Sequence, residues 1–159
     1  MNILIAYGTR YGYTARQARL LADRIGPTAQ SLDLKRAGRL TLQPYGTVLI
    51  GGSVYGGTIR REVISFCEAR REELLTRRVG LFLCCLHRGG KAEEQMAASF
   101  PPWLLTHAFG RYHLGGELDL NKLGLFDRLL VRVVLGQREN RRVDGGEGLK
   151  ALAAAAGRA

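Results

Sequence analysis

The chain has 159 residues, and its 24 basic side chains against 14 acidic ones leave a formal charge of +10. This length suits a single domain over residues 1–159, and a hydrophobic share of 46% excludes a disordered basic tail. Charge of this sign is typical of proteins that bind nucleic acid, an anionic membrane surface or an acidic ligand. The 21 glycines predict loops that approach another group closely.

Short apolar runs alternate with helical periodicity along the chain. Strands are predicted at 2–7, 29–34, 47–52, 79–86 and 111–118, and helices at about 14–25, 61–75, 92–99 and 147–156. The first strand is continuously apolar, as expected of a strand buried on both faces. The alternation predicts an α/β fold with a doubly wound, five-stranded parallel sheet, and a stretch at about 119–146 is inserted before the last helix.

Right-handed crossovers place the loops that follow parallel strands at the carboxyl edge of the sheet. Those loops are 8–14, 53–60 and 86–91, and all are rich in glycine, hydroxyl groups or positive charge. We therefore expect the functional site at this edge.

The three cysteines, Cys67, Cys84 and Cys85, have neither C-x-x-C nor zinc spacing. They are interpreted as buried hydrophobic residues of a reducing cytoplasm, without a disulfide or a metal. The chain has no apolar run long enough to span a membrane, and Met1 leads into a strand rather than a secretory signal.

The first loop contains the most specific motif, Thr9-Arg10-Tyr11-Gly12-Tyr13-Thr14. Threonine hydroxyls at both ends and backbone amides at a helix N-terminus form a cradle suited to a phosphate group. Gly12 permits a close backbone approach, and Arg10 adds charge. The alternative is an ordinary turn in which Thr14 caps the helix.

This motif, T-x-x-G-x-T between the first strand and its helix, resembles the first loop of the flavodoxin family, which holds the phosphate of FMN. The resemblance implies the strand order 2-1-3-4-5, non-covalent FMN and two further loops that flank the isoalloxazine ring. The second loop is Ser53, Val54, Tyr55, Gly56 and Gly57, with Tyr55 at the position that stacks on the ring, and the third is Leu86, His87, Arg88 and Gly89.

The inserted stretch includes an apolar segment from Leu123 to Leu135, with Phe126-Asp127-Arg128 inside it. Together with the opening T-R-x-G-x-T and the basic charge, it resembles the menaquinone-dependent protoporphyrinogen IX dehydrogenases of the flavodoxin-like group. That resemblance implies a porphyrinogen substrate, a quinone acceptor and a peripheral position at the inner face of the cell membrane.

Phe126, Leu129, Leu130 and Val133 form one apolar face of the predicted inserted helix. Three environments for this face stay open: the protein core, an oligomer interface and a membrane surface. Neighbouring arginines, including Arg138, suit anionic headgroups but also a solvated loop.

Three function classes stay open: an FMN-dependent oxidoreductase, a flavodoxin-type electron carrier that docks a redox protein, and a cofactor-free interaction domain. The charge argues against an ordinary acidic electron carrier, and arginines spread over several helices without a recognition motif argue against nucleic acid. No catalytic residue is identified, but Arg88 beside the ring would stabilise an anionic reduced flavin.

Overall fold

The computed structural model describes residues 1–133, 136 and 139–158 of the chain. Its strands are β1 (Asn2–Gly8), β2 (Ala29–Asp33), β3 (Tyr45–Tyr55), β4 (Thr58–Ile59), β5 (Arg78–Cys84), β6 (Gly110–His113), β7 (Gly116–Leu118) and β8 (Arg141–Val143). Its helices are α1 (Tyr13–Ile25), α2 (Arg61–Ala69), α3 (Arg71–Leu75), α4 (Gly89–Ser99), α5 (Pro102–His107), α6 (Leu125–Val133) and α7 (Gly146–Ala156).

Five parallel strands form the main sheet in the order β2-β1-β3-β5-β6. The predicted α/β class and five-stranded parallel order are therefore confirmed. The short β4 pairs antiparallel with the end of β3, and β7 and β8 form a separate antiparallel ribbon.

Alternate residues of the strands pack into two cores, one on each face of the sheet. In β5, Leu81 and Leu83 enter the core on the side of α2, α4 and α5, whereas Phe82 and Cys84 enter the core beneath α1 and α7. Because side chains alternate along a strand, burial on both faces explains why β5 is apolar throughout.

Glycines allow the ribbon β7–β8 to close against the end of β5. A Cβ on Gly116 would lie 2.4 Å from the carbonyl oxygen of Cys85, and one on Gly145 would lie 1.9 Å from the carbonyl carbon of Leu114. These close approaches lie beside the predicted loops rather than in them, since a Cβ on Gly12, Gly56, Gly57, Gly89 or Gly90 would meet no heavy atom within 4 Å.

Several predicted boundaries are wrong. The helix predicted at 61–75 is divided at Arg70, whose φ of −114° and ψ of 17° are not helical. Its guanidinium donates to the Leu40 carbonyl and the Glu73 carboxylate, both at 2.7 Å, and these contacts hold the bend. The strand predicted at 111–118 is divided into β6 and β7, because Gly115 adopts a positive φ of 71°.

The inserted helix begins at Leu125, two residues later than predicted, because Leu123 follows a short 3₁₀ turn. The predicted end of the segment at Leu135 lies outside the described residues, as does Arg138. Among the described helices, none combines the length and apolar character needed to cross a membrane.

Candidate functional site

A pocket opens at the carboxyl edge of the sheet, between the loops that follow β1 and β3. Its walls combine nine residues of the predicted loops 8–14 and 53–60 with the end of β5, with β7 and with the inserted segment. The lining residues are Thr9, Arg10, Tyr11, Tyr13, Thr14, Ser53, Val54, Tyr55, Gly56, Cys84, Cys85, Leu86, Gly116, Glu117, Leu118 and Val131.

The first loop forms a tight turn into α1. Gly12 precedes the helix with a positive φ of 92°, and its backbone amide donates to Thr9 Oγ1 at 3.1 Å. A side chain at Gly12 would strain this left-handed conformation. The amides of the first helical turn have no carbonyl partners within the helix, so this end of α1 favours a negative group.

Thr14 lies inside the first turn of α1 and does not cap the helix, so the capping prediction is wrong. The buried hydroxyl of Tyr55, which lines the pocket, has no hydrogen-bond partner within residues 1–133, 136 and 139–158. Thr14 and Ser53 line the same pocket, and their buried hydroxyls are likewise without a partner there. The Cys84 thiol beside Thr14 is only a weak partner. Since buried hydroxyls are ordinarily satisfied, those of Thr14 and Ser53 are suited to polar atoms of a ligand.

Ser53, Val54 and Tyr55 belong to the end of β3 rather than to a loop, because this strand extends past the sheet to pair with β4. The turn between the strands contains Gly56 and Gly57, with φ values of 60° and 78°. The hairpin therefore places Tyr55 beside the pocket, and its turn is exposed.

Arg10, Tyr11, Tyr55 and Asp127 form a cluster across one side of the pocket. The guanidinium of Arg10 lies 4.3 Å from the ring centre of Tyr55 and donates to Asp127 Oδ2 at 2.5 Å. The Tyr11 hydroxyl donates to the same carboxylate oxygen. Asp127, from α6, thereby ties the inserted segment to the first loop.

These contacts change the protonation behaviour of the cluster. Hydrogen bonds from Tyr11 and Arg10 lower the pKa of the Asp127 carboxyl, which therefore stays ionised. Burial, with the nearby carboxylate of Asp127, raises the pKa of Tyr55 to about 12. At neutral pH the cluster accordingly presents a neutral Tyr55 phenol beside a paired Arg10 cation.

The third predicted loop divides between two places. Leu86 lines the pocket, whereas His87, Arg88 and Gly89 line a neighbouring depression with Glu93 and His113. Gly89 also begins α4. The structure does not bring Arg88 into the pocket, and its proposed influence on the flavin remains a prediction.

Sequence reasoning missed the contributions of β7 and of the inserted segment to the pocket. Leu118 and Val131 are buried in a small apolar cluster against Tyr11, Tyr55 and Leu86. Glu117 lines the same pocket and accepts from Arg16 of α1. The sequence feature that could have indicated the contribution of the inserted segment is Asp127, a polar residue within an apolar helix, which contacts Arg10 and Tyr11 at the pocket.

Two solved flavoproteins have a similar fold at low sequence identity. A flavodoxin, WrbA-like protein from Agrobacterium tumefaciens is 15% identical, with a TM-score of 0.50 over 98% of each chain. A flavoprotein from Bacteroides eggerthii is also 15% identical, with a TM-score of 0.50 over 84% of this chain and 98% of its own. Rubredoxin oxygen:oxidoreductase from Desulfovibrio gigas is 16% identical, with a TM-score of 0.46 over 94% of this chain, which spans 36% of that protein.

Among curated proteins, no significant match was found. The family model of the flavodoxin domain matches residues 4–142, which is most of the sequence and includes all three loops. The chain therefore belongs to the flavodoxin domain family, whose cofactor is FMN.

Proposed function

We propose that this chain is an FMN-dependent oxidoreductase that oxidises an organic substrate and passes the electrons to a quinone. Protoporphyrinogen IX is the substrate that we propose to test first, because Phe126-Asp127-Arg128 and the T-R-x-G-x-T loop resemble the protoporphyrinogen dehydrogenases. The proposal depends on FMN binding, and the observation that supports FMN binding most directly is that the buried hydroxyls of Thr14 and Ser53, two residues that line the pocket, have no partner in the described chain.

The residues present fit FMN. The turn from Thr9 to Thr14 would hold the phosphate, with the positive end of α1 and the Thr14 hydroxyl as donors. Ser53, Val54 and Tyr55 would contact one side of the ring system, and Leu86 another. When bound, FMN supplies the electron transfer itself, and the protein contributes binding, orientation and electrostatics.

The apolar part of the pocket supports an enzyme with an organic substrate. Leu118 of β7 and Val131 of the inserted segment extend the wall beside Tyr55. Such a wall excludes water from the reacting centre and suits a large apolar ligand. The guanidinium of Arg10 lies at the same side of the pocket, where the ionised carboxylate of Asp127 balances its charge.

FMN binding is tested by titrating flavin-free protein with FMN and following flavin fluorescence. Loss of a hydrogen bond to a charged group costs about 1.5–3 kcal/mol, so we expect Thr14→Val to weaken binding about tenfold to a hundredfold. The exposed Ser65 of α2 provides the matched control, and Ser65→Ala should bind as the original protein does. Equal FMN affinity in Thr14→Val and the original protein would contradict the assignment of the loop.

The enzyme is distinguished from a carrier by two anaerobic measurements on the FMN-loaded protein. We expect protoporphyrinogen IX to bleach the flavin absorbance and a soluble menaquinone analogue to restore it. Absence of both changes, with rapid electron exchange with a redox protein, would exclude the proposed enzyme.

The second candidate is a flavodoxin-type electron carrier, and family membership favours it. A carrier requires a docking surface for a redox protein and no substrate of its own. The net charge of +10 favours an acidic redox partner, because opposite charges on two proteins accelerate their association. Stopped-flow rates with an acidic redox protein that fall steeply with added salt would support this candidate.

A further inference from the structure

The outward face of α6 exposes four large apolar side chains together. Leu125 is 87% exposed, Phe126 77%, Leu129 60% and Val133 72%. The other large apolar residues that are exposed in the described part of the chain lie singly, and they are Met1, Leu20 and Leu75. Contiguous exposed apolar groups ordinarily mark a contact surface, whereas single ones are common.

Helical geometry separates this face from the one that attaches α6 to the protein. With about 100° between successive residues, Leu125, Leu129, Val133 and Phe126 span an arc of only about 100°. Val131, which is buried, and Asp127, which binds Arg10 and Tyr11, lie on the opposite side. The helix is therefore held by its inner face, and its apolar outer face is presented to the surroundings.

The charge around this face is positive. Residues 119–143 include six basic side chains and three acidic ones. Lys122, Arg132 and Arg141 are exposed, on α6 or on segments next to it. Two hydrogen bonds join these segments, since the Leu120 carbonyl accepts from Arg128 at 3.2 Å and the Leu120 amide donates to Asn140 at 2.9 Å.

Three acidic groups near the helix are engaged, and a fourth, Glu139, is exposed. Asp127 is paired with Arg10, Glu117 with Arg16, and Asp119 accepts from the backbone amide of Asn121 at 3.0 Å. Their negative charge is thus partly neutralised within the protein. The exposed cations beside α6 accordingly dominate the field that an approaching surface meets.

We propose that the outer face of α6 binds an anionic lipid bilayer and lies in its interface. An amphipathic helix with apolar residues on one side and cations at its border inserts between headgroups and acyl chains. Anionic lipids complement Lys122, Arg132 and Arg141, whereas a second copy of the chain would bring like charge to the same place. The face of a nine-residue helix is also small beside the roughly 800 Å² that each partner buries in a stable protein interface.

Membrane binding would place the pocket close to the bilayer, because Val131 on the inner side of α6 lines it. A quinone dissolved in the bilayer would then reach the cofactor site over a short distance. The docking proposal does not depend on that reaction, since vesicle binding is measured without substrate.

The test uses flotation of the FMN-loaded protein with lipid vesicles. We expect binding to equimolar phosphatidylcholine and phosphatidylglycerol vesicles at low salt, and much weaker binding to phosphatidylcholine alone. Replacement of Phe126, Leu129 and Val133 together by serine should lower the partition coefficient at least about a hundredfold, given the transfer free energy of each side chain. Replacement of Lys122, Arg132 and Arg141 by glutamine should lower it about fivefold for each cation.

The matched control replaces Leu20 and Leu75 by serine, since both are exposed but lie on α1 and α3. This variant should bind vesicles as the original protein does, and circular dichroism and flavin absorbance should show that all variants are folded.

No binding to anionic vesicles, or full binding by the triple serine variant, would overturn the proposal. Self-association that the triple serine variant abolishes, without vesicle binding, would also overturn it and identify a second copy as the occupant. Failure of the reaction with protoporphyrinogen and quinone would leave these results unchanged and would contradict only the proposed function.

Discussion

Strand β5 and helix α6 are both rich in large apolar residues, but the two elements have opposite environments. Phe82 in β5 is fully buried, whereas Phe126 in α6 is 77% exposed. The strand lies between two layers of helices, and the helix covers only one side of a pocket. Apolar composition therefore predicts that an element has a surface to bury. Its position in the fold decides whether other parts of the same chain cover that surface.

The largest expected loss of stability comes from truncating Phe82, and the same change at Phe126 is the comparison. Phe82→Ala leaves a cavity in the core beneath α1 and α7, so we expect the free energy of unfolding to fall by about 3–5 kcal/mol. Phe126→Ala should change it by less than about 0.5 kcal/mol, because the side chain lies mostly in solvent. Urea denaturation measures both values, and similar losses would refute the contrast between β5 and α6.

A smaller effect is expected where the inserted segment joins the sheet. Gly116→Ala places a Cβ 2.4 Å from the backbone oxygen of Cys85, so we expect a loss of about 1–3 kcal/mol as β7 moves away from β5. Gly90→Ala in α4 is the control, since no heavy atom lies within 4 Å of its added Cβ and alanine favours a helix. Denaturation curves should separate the two variants, and equal stability would mean that the ribbon shifts without cost.

The smallest expected effect concerns the attachment of α6 through Asp127. The pKa of this carboxyl is lowered in the folded protein, so its stabilisation is present above the unfolded value near 4 and is lost as the pH falls through the lowered pKa. Asp127→Asn should therefore cost about 1 kcal/mol at neutral pH, a modest figure because Arg10 is partly exposed.

The difference between Asp127→Asn and the original protein should shrink as the pH falls below about 4, where the unfolded carboxyl becomes protonated, and should vanish below the lowered pKa of the folded protein. The exposed Asp23 of α1 is the control, and Asp23→Asn should leave unfolding almost unchanged at neutral pH. A cost of Asp127→Asn that stays constant down to the lowest pH would show that the carboxylate charge does not hold α6.

The alternation of strands and helices and the place of the site could be predicted because they depend on local signals, whereas the strand order was implied by the resemblance to flavodoxins. The continuous apolar runs of β1 and β5 reflect burial on both faces. In the T-x-x-G-x-T loop, the glycine is Gly12, which has a positive φ and directly precedes α1. Such signals are contained within a few successive residues, and tertiary contacts reinforce them here.

Other features depend on distant residues and left no local signal. The division of the helix at Arg70 requires the carbonyl of Leu40, thirty residues away. The contact of Asp127 with Arg10 joins positions 117 residues apart. Helical periodicity identified α6 as amphipathic, but it could not distinguish the face that packs on the pocket from the face that remains exposed.

The three free cysteines make the two cores separately observable. Cys67 lies in the core beneath α2 and Cys84 in the core beneath α1 and α7, and burial raises the pKa of each thiol to about 12. A neutral, buried thiol reacts with alkylating reagents only when its surroundings open. Mass-spectrometric labelling of these two residues therefore reports, layer by layer, how often each side of the sheet is uncovered while the protein remains folded.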